Sequence, residues 1–324
     1  MRRIFPLLLI LLLLCGCGGN RDAAAPEDAD RLVIFTARSA AVYDDAVREF
    51  ERRTGIWAEV HTADDALPLL EQIAAGQRCD LLLGVTPDCL SACGELFAPY
   101  APEAAADIPG AYRDSEDRWT PFSLLPVVLI YNDQLVQRNV PDSWSSLTSS
   151  AWRGRIACPD PTVSATGCTA LEAMTQALDG EAEQVLADFV RCVGDVLPTA
   201  EDVVTAVADG RCYVGVTTED LAMQAAASGL SVTVIYPREG AVVQPDCAAI
   251  IADCAHEDNA RAFIDFLLSG EVQERLTRQY RRTVFTPPGD ASLPHALAYD
   301  PYAAGAHQAE TLDIWSSLTA EETP

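Results

Sequence analysis

Lysine is absent: all 22 basic residues of this 324-residue chain are arginine, and they face 48 aspartates and glutamates for a formal charge of −26. So acidic a balance argues against nucleic acid, which needs basic patches. It does not exclude an anionic ligand, because a cleft can be locally positive inside an acidic shell. Histidine is scarce. His61, His256, His295 and His307 are the only four, and none falls in an H-x-x-x-H spacing. There is no G-x-S-x-G elbow, no phosphate-binding P-loop and no G-x-G-x-x-G after the first strand pattern. The chain therefore reads as a non-enzyme without a cofactor. A secreted hydrolase would need a nucleophile and base set that is not visible. Internal repeats are also missing. The apolar run Leu7 to Leu14 is shorter than the roughly 20 residues that span a bilayer.

What is present begins at that run. Arg2 and Arg3 precede it, the pattern of a secretory signal, which predicts a signal peptide over 1–16. Leu14-Cys15-Gly16-Cys17 resembles a bacterial lipobox, which makes Cys17 the expected lipidated first residue of the mature protein; ordinary signal cleavage nearby is the alternative. Residues 17–30, rich in Ala, Asp and Glu, cannot bury enough surface to order themselves and read as a flexible tether. The body, roughly 290 residues from Arg31 onward, suits two lobes better than one core. It holds nine further cysteines, Cys79, Cys89, Cys93, Cys158, Cys168, Cys192, Cys212, Cys247 and Cys254. Outside the cytoplasm these are available for disulfides, but nine is odd, and several sit in apolar patterns where Cys acts as a small hydrophobe. Cys89 and Cys93 are the one close pair, with no companion pair for zinc.

Strand and helix patterns alternate along the body. Leu32-Val33-Ile34-Phe35, Ile56 to His61 and the wholly apolar Asp80 to Val85 read as strands. Val42, Ala46, Val47 and Phe50 mark a helix between the first two, and a second helix is expected over Asp64 to Ala75. The alternation predicts an α/β fold with a parallel sheet. Further on, Trp119 to Phe122, Val127 to Tyr131, Arg155 to Cys158, Tyr213 to Val216, Ser231 to Tyr236 and Cys247 to Ala252 read as strands. Helices are expected at 168–178, 181–193, 203–208, 259–268 and 272–280. Thr199 with Asp202 is a capping pattern for the helix from Val203.

Three loops, each after a strand, carry the candidate chemistry, because open α/β sheets bind ligands at the carboxyl ends of their strands. Asp160-Pro161-Thr162-Val163-Ser164-Ala165-Thr166-Gly167 offers small residues, hydroxyl donors and a helix N-terminus, a place for a phosphate, phosphonate or carboxylate. An ordinary Ser/Thr cap fits the same residues. Thr36-Ala37-Arg38-Ser39 offers a guanidinium fork to an oxyanion, or a solvated arginine. Thr217-Thr218-Glu219-Asp220 offers a carboxylate for an amine, hydroxyls or a metal, or else a charge that favours the helix start.

Several segments together resemble one family. They are Leu32 to Ser39, Val128-Leu129-Ile130-Tyr131-Asn132, Trp144-Ser145-Ser146-Leu147, Trp152 to Ile156, Ser164 to Gly167 and Ala260 to Ser269. The order of elements is similar to the periplasmic binding protein type II fold. It is closest in pattern to ABC-importer binding proteins for ferric iron, 2-aminoethylphosphonate and hexose phosphates. The resemblance implies a monomer with two α/β lobes joined by a hinge of two crossing strands. Lobe one would be 31–122 with 246–324, and lobe two 123–245, with the ligand enclosed between them. It implies an ABC-transporter permease as partner and a lipid-anchored, extracytoplasmic location. By position, Thr36, Arg38 and Thr86 would line one lobe, Ser123 the hinge, and Ser164, Ala165, Thr166, Thr218 and Glu219 the other. Iron-binding members carry adjacent tyrosines where this chain has Thr217-Thr218, and phenolates are the hard anions ferric iron needs. A small organophosphorus anion is therefore the favoured ligand. A metal ion, or a sensor role feeding a membrane histidine kinase, are the alternatives.

Overall fold

Alternating apolar residues build strands and period-3.6 stripes build helices in the order that parallel α/β layers require. The computed structural model describes residues 28–63, 66–286, 296–298 and 300–322. Cys17, the signal peptide and most of the tether lie outside them. The chain starts β1 (Arg31–Thr36), α1 (Ala40–Thr54), β2 (Trp57–Thr62), α2 (Ala66–Ala74), β3 (Leu81–Val85), and β1 lies parallel between β2 and β3. A short α3 (Pro87–Ser91) and β4 (Phe97–Ala98) lead to β5 (Thr120–Tyr131). Then come α4 (Trp144–Leu147), β6 (Ile156–Pro159), α5 (Ala165–Ala177), α6 (Ala182–Val190), β7 (Val193–Leu197), α7 (Ala200–Ala208), β8 (Val214–Thr218), α8 (Glu219–Ala227) and β9 (Thr233–Ile235). The chain returns through β10 (Ala241–Ile251), α9 (Glu257–Leu267), α10 (Gly270–Arg278), β11 (Ala296–Leu297) and α11 (Pro301–Glu322).

The strand path is β2-β1-β3-β10-β5-β8-β6-β7. Its centre is the antiparallel pair β5 and β10, each passing from one half of the sheet to the other. The first half of β5 pairs with β10, down to Val243 opposite Pro126; from Val127 onward it pairs with β8. Pro126 has no N–H to give a ladder, which suits it to the residue where β5 changes partners. Each half of the sheet is covered on both faces. Leu32, Ile34, Phe50, Leu81 and Phe263 pack on one face of the first half, and Phe35, Leu69, Leu82 and Cys247 on the other. In the second half, Trp144, Leu129, Ile156 and Phe189 oppose Val128, Ile130, Val203 and Val207.

The fold class is the one expected, with local differences. Two expected strands, 119–122 and 127–131, are one twelve-residue strand, because Ser123 and Pro126 stay inside it, fully buried. β10 begins at Ala241 rather than Cys247 and runs through Pro245. The helix expected over 181–193 stops at Val190, and β7 follows. Gly194 permits this: a Cβ there would lie 2.5 Å from the Gly154 carbonyl oxygen, so only glycine lets β7 approach that turn. α11, with no amphipathic stripe to announce it, was not expected. Its start touches the first half of the sheet, where Gly305 sits against Asp88 and Ser91. Its later turns bury Trp315, 3% exposed, in the second core beside Phe189 at 6.3 Å. Among the described residues no disulfide joins two of the body's nine cysteines.

Candidate functional site

The carboxyl ends of four strands converge on the middle of the β5–β10 pair. Val85 at the end of β3 lies opposite Cys247, Asp246 lies opposite Ser123, and Thr218 at the end of β8 lies opposite Val127. β1 runs parallel to β3 and β6 parallel to β8, so Thr36 and Pro159 end on the same line. The loops after these strands start α1, α3, α5 and α8. Residues from both halves of the sheet are thus placed around one cleft.

On the first half, Thr36 is buried and its Oγ1 accepts the Arg38 backbone N–H at 3.1 Å. The Arg38 guanidinium donates from Nε at 3.1 Å and Nη2 at 2.9 Å to Asp246 Oδ1, with a quarter of the side chain exposed and Asp246 fully buried. The Arg38 stem lies on Gly84. Thr86, at the N-cap of α3, is buried and gives its hydroxyl to Cys89 Sγ at 3.6 Å. On the second half, Ser164 occupies the N-cap of α5, but its side chain does not cap the helix; Ala165 and the buried Thr166 form the first turn. A Cβ on Gly167 would sit 2.7 Å from the Pro159 carbonyl oxygen, so glycine allows that turn to close on the end of β6. Thr218 at the N-cap of α8 donates to Asp220 Oδ1 at 2.5 Å instead of capping.

The hydroxyls at these helix starts contrast with Ser143 and Thr199, which do cap α4 and α7; Thr199 Oγ1 accepts from Asp202 N at 3.0 Å. In the cleft, Ser39 and Ser164 leave the first N–H groups of α1 and α5 without a side-chain cap, beside the positive ends of those helices.

Two of the expected residues form hydrogen bonds within the protein. Ser123, on β5, is buried and its Oγ accepts from Arg281 Nε at 3.1 Å and Nη2 at 3.0 Å. Glu219, expected to meet a ligand amine or hydroxyls, spends its carboxylate inside the protein. It accepts from Arg282 Nε and Nη2, each at 2.6 Å, and from the Tyr236 hydroxyl, and it is 5% exposed. Burial and the Glu219 carboxylate push the Tyr236 phenol up to about 12, so Tyr236 is a donor at any working pH. Thr36, Arg38, Ser123, Thr218 and Glu219 thus belong to one connected region. No hydrogen bond links the 164–166 turn to it among the described residues.

Sequence reasoning missed Asp246, Arg281 and Arg282, and took Asp220 only as part of the third candidate loop. Arg281 is 3% exposed and donates from Nη1 to Asp220 Oδ2 at 3.2 Å and from Nη2 to Asp246 Oδ2. The available signals were an Arg-Arg pair in a chain poor in cations, and Asp246 as the one charged residue of a mostly apolar strand. Three arginines meet three carboxylates here, so the region is locally balanced inside a strongly acidic molecule.

Beside the cleft, a small pocket opens between the first turns of α3 and α5 and is walled by α11. Asp88, Thr169, Glu172 and Gln308 line it. Burial raises the Glu172 carboxyl above its ordinary range; His307 opposes that shift and Asp88 adds to it. Among the described residues no group of three His, Cys, Asp or Glu side chains is placed to hold a metal ion, and no helix is long and apolar enough to cross a membrane.

Comparison with known proteins places this geometry. Residues 94–302 match the family model described as bacterial extracellular solute-binding protein. A probable ABC transporter periplasmic-binding protein of Sinorhizobium fredii, y4fP, is 26% identical over 86% of this chain and 79% of its own length. Among solved structures, the periplasmic binding protein AfuA of Actinobacillus pleuropneumoniae, with fructose-6-phosphate bound, superposes with a TM-score of 0.80 at 19% identity, covering 90% of this chain and 98% of that one. The apo ferric ion-binding protein A of Pasteurella haemolytica superposes with a TM-score of 0.77 at 15% identity, covering 91% and 99%. At such identities the superpositions speak for the two-lobed binding-protein fold alone. With its family model matched over most of the body and a cleft where strand ends meet, this chain belongs to the bacterial extracellular solute-binding proteins, which capture a solute and do not transform it.

Proposed function

We propose that this protein is the lipid-anchored, extracytoplasmic binding component of an ABC importer, and that its cleft captures a small organophosphorus anion such as a sugar phosphate or a phosphonate. Cys17 is the anchor and a membrane permease the partner. The lobes are 31–122 with 246–324 and 123–245, with α11 in contact with both. One observation carries the ligand class: the N-cap hydroxyls of Ser39, Thr86, Ser164 and Thr218, at the starts of the helices that follow the converging strand ends, do not cap their own helices, and Arg38, after β1, keeps a quarter of its side chain exposed. Helix N-termini and a guanidinium fork suit a multivalent oxyanion. Thr217-Thr218 in place of phenolates leaves ferric iron without its hard donors. Thr36, Arg38, Thr86, Ser164, Ala165, Thr166 and Thr218 contact the solute, while Ser123 and Glu219 hold the frame.

A thermal-shift screen of residues 27–324 against phosphate, sugar phosphates, phosphonates, carboxylates and ferric citrate tests this. A ligand at a hundred times its dissociation constant adds about 2.7 kcal/mol, or a rise of roughly 4 °C in Tm for a chain of this size. A rise with one organophosphorus compound, lost in Ser164→Asp, is the expected result. A rise with iron alone would sink the anion assignment.

A further inference from the structure

The least exposed cation in the cleft region has no part in the contacts assigned above. Arg281 follows α10, in the first half of the molecule, and its guanidinium is shared among three elements. Nε and Nη2 reach Ser123 on β5, Nη2 also reaches Asp246 on β10, and Nη1 reaches Asp220 in the first turn of α8. Its neighbour Arg282 is stitched to β5 by a two-way backbone bridge with Leu124, at 2.9 and 3.3 Å, while its side chain holds Glu219. The segment is therefore fixed at the crossing strands, and both side chains extend to the start of α8 in the second half.

Asp246 is the junction. One carboxylate oxygen is taken by Arg281 and the other by Arg38. We propose that Arg281 is a positioning residue for solute capture: through Asp246 it sets the aim of Arg38, and through Asp220 it ties that aim to the orientation of α8. The proposal rests on the anion reading given above. Two physical effects act in the same direction. First, turning Asp246 to release Arg38 costs the bond to Arg281, so the guanidinium keeps one edge on the carboxylate. Its Nη1 has no hydrogen-bond partner among the described residues, and a quarter of the side chain is exposed. Second, Arg281 and Arg282 offset Asp220 and Glu219, which would otherwise repel an anion arriving at the α8 N-terminus. Without Arg281, Asp246 keeps a full unshared charge next to Arg38 and competes with the solute for it.

The test is a double-mutant cycle on the full chain, read by calorimetric titration with fructose 6-phosphate. Arg281→Met is expected to weaken binding by on the order of tenfold although it does not touch the solute, a coupling ordinary within one charge network. Arg38→Met is expected to weaken it at least as much, and the double variant to bind no more weakly than Arg38→Met alone. Additive losses, or unchanged affinity in a folded Arg281→Met protein, would overturn the relay. If Arg281→Met does not fold, Asp220→Asn cuts the relay at its far end while keeping the shape, and the same non-additivity with Arg38→Met is required. If the unaltered protein does not bind fructose 6-phosphate, the cycle is run with whichever organophosphorus anion the screen identifies; if it binds none of them, the anion reading falls, and the relay is judged without ligand. Faster amide hydrogen exchange in both 37–39 and 219–222 of Arg281→Met supports it, and unchanged exchange in 37–39 refutes it.

Discussion

Gly84 sits at φ 78°, a left-handed conformation, and the Cγ of Arg38 would lie 2.3 Å from any Cβ placed there. Two costs would meet in Gly84→Ala. The backbone conformation costs an L-residue roughly 1–2 kcal/mol, and the arginine stem must leave its seat. The expected outcome is a stability loss of that size in urea denaturation together with weaker binding of whichever anion the screen identifies; full binding in the variant would show that the Arg38 seat is not needed. Arg38 itself was legible from its place after the first strand. Its partner Asp246 was not, since a single aspartate within an apolar stretch gives no hint of which cation it meets. Glu219 shows the same limit: a carboxylate at a helix start is visible in sequence, but whether it faces ligand or protein depends on Arg282, 63 residues away.

At the scale of elements, α11 is the least legible piece and one of the more consequential. Its apolar residues serve two neighbours on different sides, so they form no single stripe. Trp315 anchors it in the second core. Trp315→Ala should cost about 3–5 kcal/mol, as large-to-small changes at buried aromatic positions do, measurable as a shift in the denaturant midpoint. A change under 1 kcal/mol would mean that α11 is only loosely docked. Where α11 walls the pocket with α5, Glu172 gives a pH prediction. Its folded pKa is raised by burial, so its contribution to stability is full below the unfolded value near 4.3. That contribution is lost as pH rises through the folded value. Glu172→Gln, always neutral, should therefore gain Tm relative to the parent between about pH 5 and pH 8 and show no gain at about pH 4. A pH-independent difference would contradict the assigned burial.

At the scale of the whole molecule, a net charge of −26 opposes compaction through self-repulsion. Salt screens it with a Debye length falling from about 30 Å at 0.01 M to about 8 Å at 0.15 M. Ion pairs such as Arg48–Asp44 and Arg278–Glu274 are largely exposed and weak, so their screening does not offset the gain. Tm is expected to rise between those two salt concentrations, measured by calorimetry in sodium chloride. A fall would mean that attractive pairs outweigh the repulsion. The two halves of the sheet joined by β5 and β10 also suit hinge closure around a solute.

The sequence by itself determined the α/β class, the alternation of β1, α1, β2, α2 and β3, and the loops that follow the strand ends. Period, propensity and turn residues are local properties, and Ser164, Thr36 and Arg38 are visible through them. Only the tertiary structure decided that β5 is one continuous strand changing partners at Pro126, that β7 is an edge strand, and that α11 spans both halves. It alone joined Arg281, Asp246, Asp220 and Arg38 into one network. Those outcomes depend on which surfaces meet across long stretches of chain, and a buried charge reveals its role only when its partner, far away in sequence, arrives beside it.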